Sequence, residues 1–155
     1  MRVEDIDAPA RDVRPLYERH AQRFDAARGR ALVERPYLDA LTQSVTQGGR
    51  VLDLGCGAGE PIAGYLIAKG FQVTGVDTAS AMIGICRDRF PEHDWRVADM
   101  RGMDLGRRFD AVIAWDSFFH LTGADQRAMF GVFARHLQPG GRLLFTAGPA
   151  EGEAI

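Results

Sequence analysis

Short, nearly unbroken apolar runs alternate along the chain with longer segments whose apolar residues recur at three- and four-residue spacing. The runs Arg50–Leu54, Phe71–Val76, Trp95–Ala98, Phe109–Trp115 and Arg142–Ala147 read as five strands. Phe109–Trp115 is almost continuously apolar, as a strand covered on both faces must be. Trp95–Ala98 is short and less apolar, as an edge strand often is. The spaced segments read as helices. Val13, Leu16, Tyr17, His20 and Phe24 share one face of a first helix, capped by Asp12 with Pro15 tolerated in its first turn. A second helix is expected near 32–45, with Val33, Tyr37, Leu41 and Val45 on one stripe. Pro36 starts or kinks it and Gly48-Gly49 ends it. A third starts at Pro61, carries Ile62, Tyr65, Leu66 and Lys69, and stops at Gly70. Met82, Ile83, Cys86 and Phe90 form the inward stripe of the next, ended by Pro91. Thr122-Gly123-Ala124-Asp125 resembles a capping box opening the last helix. Met129, Phe130, Phe133 and Leu137 are expected to face inward there, and Gln138-Pro139-Gly140-Gly141 to stop it before the fifth strand. Alternating strands and helices predict an α/β fold.

Composition narrows the class without changing this picture. The 155 residues carry a formal net charge of -2 and are 46% hydrophobic, as in one ordinary globular domain. The near-neutral balance provides no field for nucleic acid or an anionic membrane. No apolar run approaches the roughly 18 residues of a membrane span, and the charged N-terminus has no signal-like apolar stretch. The two cysteines, Cys56 and Cys86, show neither metal-ligand nor disulfide-framework spacing. A cytoplasmic protein without a metal is expected.

Candidate chemistry gathers where strands end. After the first strand the chain reads Gly55-Cys56-Gly57-Ala58-Gly59. Glycines at alternate positions let a backbone bend sharply and approach a ligand with no side chain between. A phosphate loop needs Gly-Lys-Ser/Thr, which is absent, and a dinucleotide fingerprint needs G-x-G-x-x-G. Asp53, just before the loop, sits badly beside a pyrophosphate but suits a ligand with an ammonium or a sulfonium. That points to S-adenosylmethionine (SAM). A tight turn with no ligand is the alternative. Asp77 ends the second strand about 20 residues on, where a doubly wound nucleotide site places the acid that holds two ribose hydroxyls. It could instead cap the next helix, although Thr78 or Ser80 can serve as that cap. Asp99, after the third strand, can accept from an adenine amino group, and Met100 can pack on the ring. A plain turn acid is the other reading of Asp99. Cys56 is read first as a small apolar filler of the loop.

These landmarks resemble the class I SAM-dependent methyltransferases of small-molecule type. The segments VLDLGCGAGEP, VTGVDTASAMI, VADM, and FDAVIAWDSFFHL followed by LQPGGRLLFTAG carry the likeness, together with the N-terminal YERHAQRFDAARG. The resemblance implies a doubly wound Rossmann-like sheet of parallel strands in order 3-2-1-4-5, with helices on both faces. The first helix either packs plainly on the domain or lids the ligand pocket with Tyr17 and Phe24 touching the cofactor; the resemblance implies a lid-like segment over residues 1–30 and a SAM-binding core over 31–155. Gly55, Cys56, Gly57 and Gly59 would hold the methionine end, with Asp53 near its amino group. Asp77 would bind ribose, Thr78 and Met82 would line the adenine, and Asp99 and Met100 would meet its amino group and ring. Ala114 and Trp115 would contact the methionine part. The family's C-terminal helix and β-hairpin are not found after the fifth strand: either this is a truncated form or that strand's open edge is paired, and a dimer or swapped arrangement across Arg142–Ala147 is expected.

The methyl would be aimed at the Asp116–His120 loop and the lid. His120 is the candidate general base and Asp116 its orienter or a substrate contact, although His120 could equally be a pocket wall. No Asn-Pro-Pro-Tyr motif follows the fourth strand, which disfavours base-flipping or amide methylation of that type. The expected acceptor is the nitrogen or oxygen of a small organic molecule. The competing readings are a nicotinamide-dependent oxidoreductase and a non-catalytic SAM-binding module.

Overall fold

The computed structural model describes residues 32–115 and 121–146. The expected first helix, with Tyr17, His20 and Phe24, and the loop holding Asp116, Phe118, Phe119 and His120 lie outside the described residues. The elements are α1 (Arg35–Thr42), β1 (Arg50–Leu54), α2 (Ile62–Ala68), β2 (Gln72–Asp77), α3 (Ser80–Arg89), β3 (Asp94–Val97), β4 (Phe109–Ala114), α4 (Gly123–His136) and β5 (Leu137–Phe145). The strands form one sheet in order β3-β2-β1-β4-β5, every pair parallel. This is the expected α/β sheet.

Strand alternation divides the core in two. Val51, Val73, Ala111 and Ile113 pack with Leu38 and Leu41 of α1, Ile62 and Leu66 of α2, and Ile83 and Cys86 of α3. Leu52, Leu54, Val76 and Val112 turn the other way, onto Met129, Val132 and Phe133 of α4. Helices therefore cover both faces. Gly75, in mid-strand, is a packing requirement. A Cβ there would come within 2.4 Å of the Trp95 ring and 2.9 Å of Cys56 Sγ. Trp95 is itself buried and fixed by its indole N–H, which donates to Phe90 O at 2.8 Å.

Three details differ from the expectation. The second helix spans only Arg35–Thr42, with Pro36 in its first turn, and it buries Leu38, Leu41 and Thr42. Val33 and Val45 fall outside the helix and cannot share its stripe; Val33 and Tyr37 are 77% and 57% exposed. Gln138–Gly141 does not separate α4 from β5. Leu137 already pairs with Phe109, and Arg142 with Ala111. The four residues between bulge out opposite Asp110, turning at Gly140 with φ +79° after Pro139, which has no N–H to give the ladder. Phe130 is 47% exposed rather than inward, its ring meeting Phe133 and Phe145 edge-on.

Candidate functional site

Because the strands are all parallel, the loop that leaves each of β1 to β4 lies at the carboxyl edge of the sheet. The β1 loop is fixed there by backbone. The N–H groups of Gly55 and Cys56 both donate to Val76 O, at 2.7 and 3.0 Å. Gly55, Gly57 and Gly59 have φ of 75°, 57° and 86°, values that favour glycine. Among the described residues, a Cβ at Gly57 would meet no atom within 4 Å.

Asp77, at the end of β2, reaches across to this loop. Its Oδ2 accepts from Gly57 N–H and its Oδ1 from Ala79 N–H, both at 3.0 Å. One carboxylate thus ties the glycine loop to the start of α3. Neither Thr78 nor Ser80 is the cap of that helix: the N-cap is Ala79, which has no side chain able to cap, and Asp77 takes up the N–H of Ala79 itself, just before the helix. These two bonds are compatible with the ribose reading of Asp77, since an ionised carboxylate has about four lone-pair sites.

Beneath the loop lie two thiols that the sequence did not connect. Cys86 Sγ donates to Gly57 O at 3.1 Å and Cys56 Sγ lies 3.5 Å from the same oxygen. Contact with the Cys86 thiol and burial push the Cys56 thiol well above its ordinary pKa. A thiol held protonated acts as a packing and donor group, not a nucleophile. Cys86 could have been flagged only by its position one turn beyond Met82. Met82 is buried against Ala58 and Ala79 and forms part of the loop's floor. Arg89 Nη1 donates to Ala58 O at 3.2 Å. Asp53 is 3% exposed within β1, close enough to Cys56 to add to the upward push on its thiol.

The remaining expected residues lie around the same edge. Thr78 is half-buried just past β2. Asp99 follows β3 and is gripped by Arg101, whose Nη2 donates to its Oδ2 at 2.6 Å and whose N–H donates to its Oδ1 at 2.9 Å. The Asp99 carboxylate holds the Arg101 guanidinium pKa above its ordinary value. Met100 is half-buried against the α4-side core. Ala114 is fully buried, its carbonyl accepting from Thr146 N–H at 3.3 Å. Trp115 stands beside Tyr37, ring centroids 5.5 Å apart at 40°. The structure thus brings Gly55, Cys56, Gly57, Gly59, Asp53, Asp77, Thr78 and Met82 together around one loop. Asp99 and Met100 lie on one flank, at β3, and Ala114 and Trp115 on the other, at β4.

A cleft of about 480 Å³ lies at the opposite edge, between Arg50, Thr74, His93, Asp94, Arg107 and Phe109. Its polar groups largely serve the fold. His93 Nδ1 accepts from Val73 N–H at 3.2 Å, and Arg107 Nη2 donates to Thr74 Oγ1 at 2.8 Å and to Asp94 Oδ2 at 2.6 Å.

Residues 51–141 match the model of a methyltransferase domain family, and the chain belongs to that family. Among curated relatives, it is 31% identical over 129 residues to the dTDP-4-amino-2,3,4,6-tetradeoxy-D-glucose N,N-dimethyltransferase of Saccharopolyspora spinosa, covering 79% of this chain and 51% of the relative. It is 33% identical over 115 residues to the ubiquinone biosynthesis O-methyltransferase of a Bradyrhizobium species, covering 70% of this chain and 43% of the relative. The chain therefore spans about half the length of these relatives. Among solved structures, SAM-bound CalS10, an amino pentose methyltransferase from Micromonospora echinaspora, superposes with a TM-score of 0.72 at 32% identity, covering 86% of this chain and 59% of that one. Among the described residues no helix is long and apolar enough to cross a membrane.

Proposed function

We propose that this chain binds SAM at the carboxyl edge and takes part in moving its methyl group to the nitrogen or oxygen of a small organic molecule. The observation that carries the reading is the pairing of the glycine loop, clear above Gly57 among the described residues, with the Asp77 carboxylate that is bonded to it. When bound, the cofactor supplies an electrophilic methyl on a sulfonium. The protein's part is to position the partners and exclude water. Gly55, Cys56, Gly57 and Gly59 would take the methionine end and Asp53 the side of its ammonium. Asp77 would accept from the ribose hydroxyls, already held in place by two backbone N–H groups. Thr78, Met82, Asp99 and Met100 would surround the adenine, and Ala114 and Trp115 would close the methionine side. Residues 1–30, with Tyr17 and Phe24, are proposed as the lid, and Asp116 and His120 as the groups that receive and orient the acceptor.

Two features extend the reading. The S. spinosa N,N-dimethyltransferase and the amino pentose methyltransferase CalS10, both named for amino-sugar substrates, support an amine on a compact polar ring as the acceptor. Strand β5 pairs only with β4 among the described residues, so its outer edge supports association with a second copy in the cytoplasm. The cofactor reading is tested by calorimetry with SAM and with its demethylated product, S-adenosylhomocysteine, on the wild type and on Asp77→Ala. Binding that weakens strongly on substitution is expected. Equal binding by both proteins would remove the site. The role of His120 is tested by His120→Ala, which should lower turnover sharply and leave SAM affinity unchanged.

A further inference from the structure

We infer that Arg101 is a positioning residue of the adenine side of the site. It orients the Asp99 carboxylate, braced from the first turn of α4, and so sets how strongly the site selects a purine that carries a 6-amino group. This role rests on the SAM reading above, in which Asp99 meets the adenine amino group, and adds a residue to it.

Strand pairing places Asp99. Val97, the last residue of β3, lies opposite Asp77, and Ala98 N–H donates to Asp77 O at 3.1 Å. Asp99 is the next residue. It therefore follows directly on the backbone of the residue whose carboxylate holds Gly57 N–H.

Three N–H groups of Arg101 converge on that carboxylate. The backbone N–H donates to Oδ1 at 2.9 Å, which is all that a plain turn acid needs. The guanidinium adds a planar fork, with Nε 3.1 Å from both oxygens and Nη2 2.6 Å from Oδ2. Its remaining nitrogen, Nη1, donates to Asp125 Oδ2 at 3.4 Å. Asp125 is in the first turn of α4, which follows β4 and so begins at the same edge. Met100, between the two partners, is half-buried against the α4-side core. Asp99 is thus fixed by its own turn, by the fork and, through the fork, by a second element.

Stability does not account for this arrangement. The Arg101, Asp99 and Asp125 side chains are 53%, 47% and 36% exposed, and ion pairs so exposed contribute little to folding. What the fork supplies is direction. A hydrogen bond weakens steeply as donor and acceptor misalign. An exposed carboxylate free to rotate would read a 6-amino group poorly, and one held by a fork reads it well.

The test is calorimetry on the full chain with two ligands, S-adenosylhomocysteine and its 6-deamino analogue, in which hydrogen replaces the amino group at purine C6. The ratio of the two affinities reports the amino contact and cancels any change common to both. The wild type should prefer S-adenosylhomocysteine about tenfold, as for one hydrogen bond to a charged group. Arg101→Ala should bring that preference below about threefold while leaving the midpoint of denaturant unfolding nearly unchanged. Arg101→Lys keeps the charge, loses the fork and should behave as Arg101→Ala does. Arg96 grips Asp94 through Nε and Nη2 in the same way at the other end of β3, and Arg96→Ala should keep the wild-type ratio. A wild type without preference, a ratio unchanged or raised in Arg101→Ala, full recovery in Arg101→Lys, or an equal fall in Arg96→Ala would each overturn the inference. Wild-type binding of S-adenosylhomocysteine that depends on Asp77, with a ratio indifferent to Arg101, would remove this role and leave the SAM reading standing. No binding by the wild type would remove both.

Discussion

The two edges of the sheet satisfy their backbone groups in different ways. At the amino edge, side chains do it. Asp110 Oδ2 accepts from Arg50 N–H at 2.9 Å and His93 from Val73 N–H. His136, fully buried, accepts from Leu105 N–H through Nε2 at 2.9 Å and donates through Nδ1 to Val132 O at 2.8 Å. Those two partners define its tautomer. Arg108 and Arg135 add bonds to Leu137 O and Met103 O. At the carboxyl edge the glycine loop is held by backbone, by the Asp77 carboxylate and by the Cys86 and Arg89 side chains, and among the described residues nothing lies over Gly57. Side chains tie down the amino edge, and the carboxyl edge is where we propose that a ligand is held.

Substitutions should respect that division. The largest effect is expected at His136. His136→Ala leaves the Leu105 N–H without its partner, removes the side-chain bond to Val132 C=O and opens a cavity, and should cost about 3 kcal/mol of stability by denaturant unfolding. Affinity for S-adenosylhomocysteine should change little in the fraction that remains folded. Next is Asp77→Ala, expected to weaken S-adenosylhomocysteine by roughly 100-fold, equivalent to about 2.7 kcal/mol. It should lower thermal stability by less than His136→Ala does. Arg107→Ala removes the bonds to Thr74 and Asp94 and the guanidinium 5.3 Å above the Phe109 ring. With that side chain 36% exposed, the expected loss is about 1 kcal/mol, again without change in ligand affinity. The smallest effect is a pH dependence. Hydrogen bonding from Arg96, with the charges of Arg96 and Arg107, holds the Asp94 carboxyl below its ordinary pKa. A depressed folded pKa gives stability that is complete above the unfolded value of about 3.9 and fades as pH falls through the folded one. The stability gap between wild type and Asp94→Asn should be flat above about pH 5 and shrink below about pH 4. A gap that widened in acid would contradict that assignment.

The sheet was legible because its signals are local and repeated. Near-continuous apolar runs between helical segments leave few alternatives to a parallel sheet. Thr122 was legible too: its Oγ1 accepts from Asp125 N–H at 3.1 Å, as its spacing implied. On the α1 stripe Leu41 was legible and is buried, but the helix is too short to include Val33 and Val45, and Leu38 is selected only by tertiary packing. Strand ends located the candidate site, since topology alone gathers them at one edge. What joins them was not legible. The Asp77–Gly57 bond and the Cys86–Gly57 bond span 20 and 29 positions, and no periodicity encodes a contact at that separation.

Gly75 and Trp95 lie opposite each other in neighbouring strands, with the indole filling the space a larger residue at 75 would need. Such a pair drifts together or not at all. Across an alignment of homologues, sequences with alanine or serine at the first position should carry a smaller residue at the second. That covariation would be a record of packing, readable without any ligand in hand.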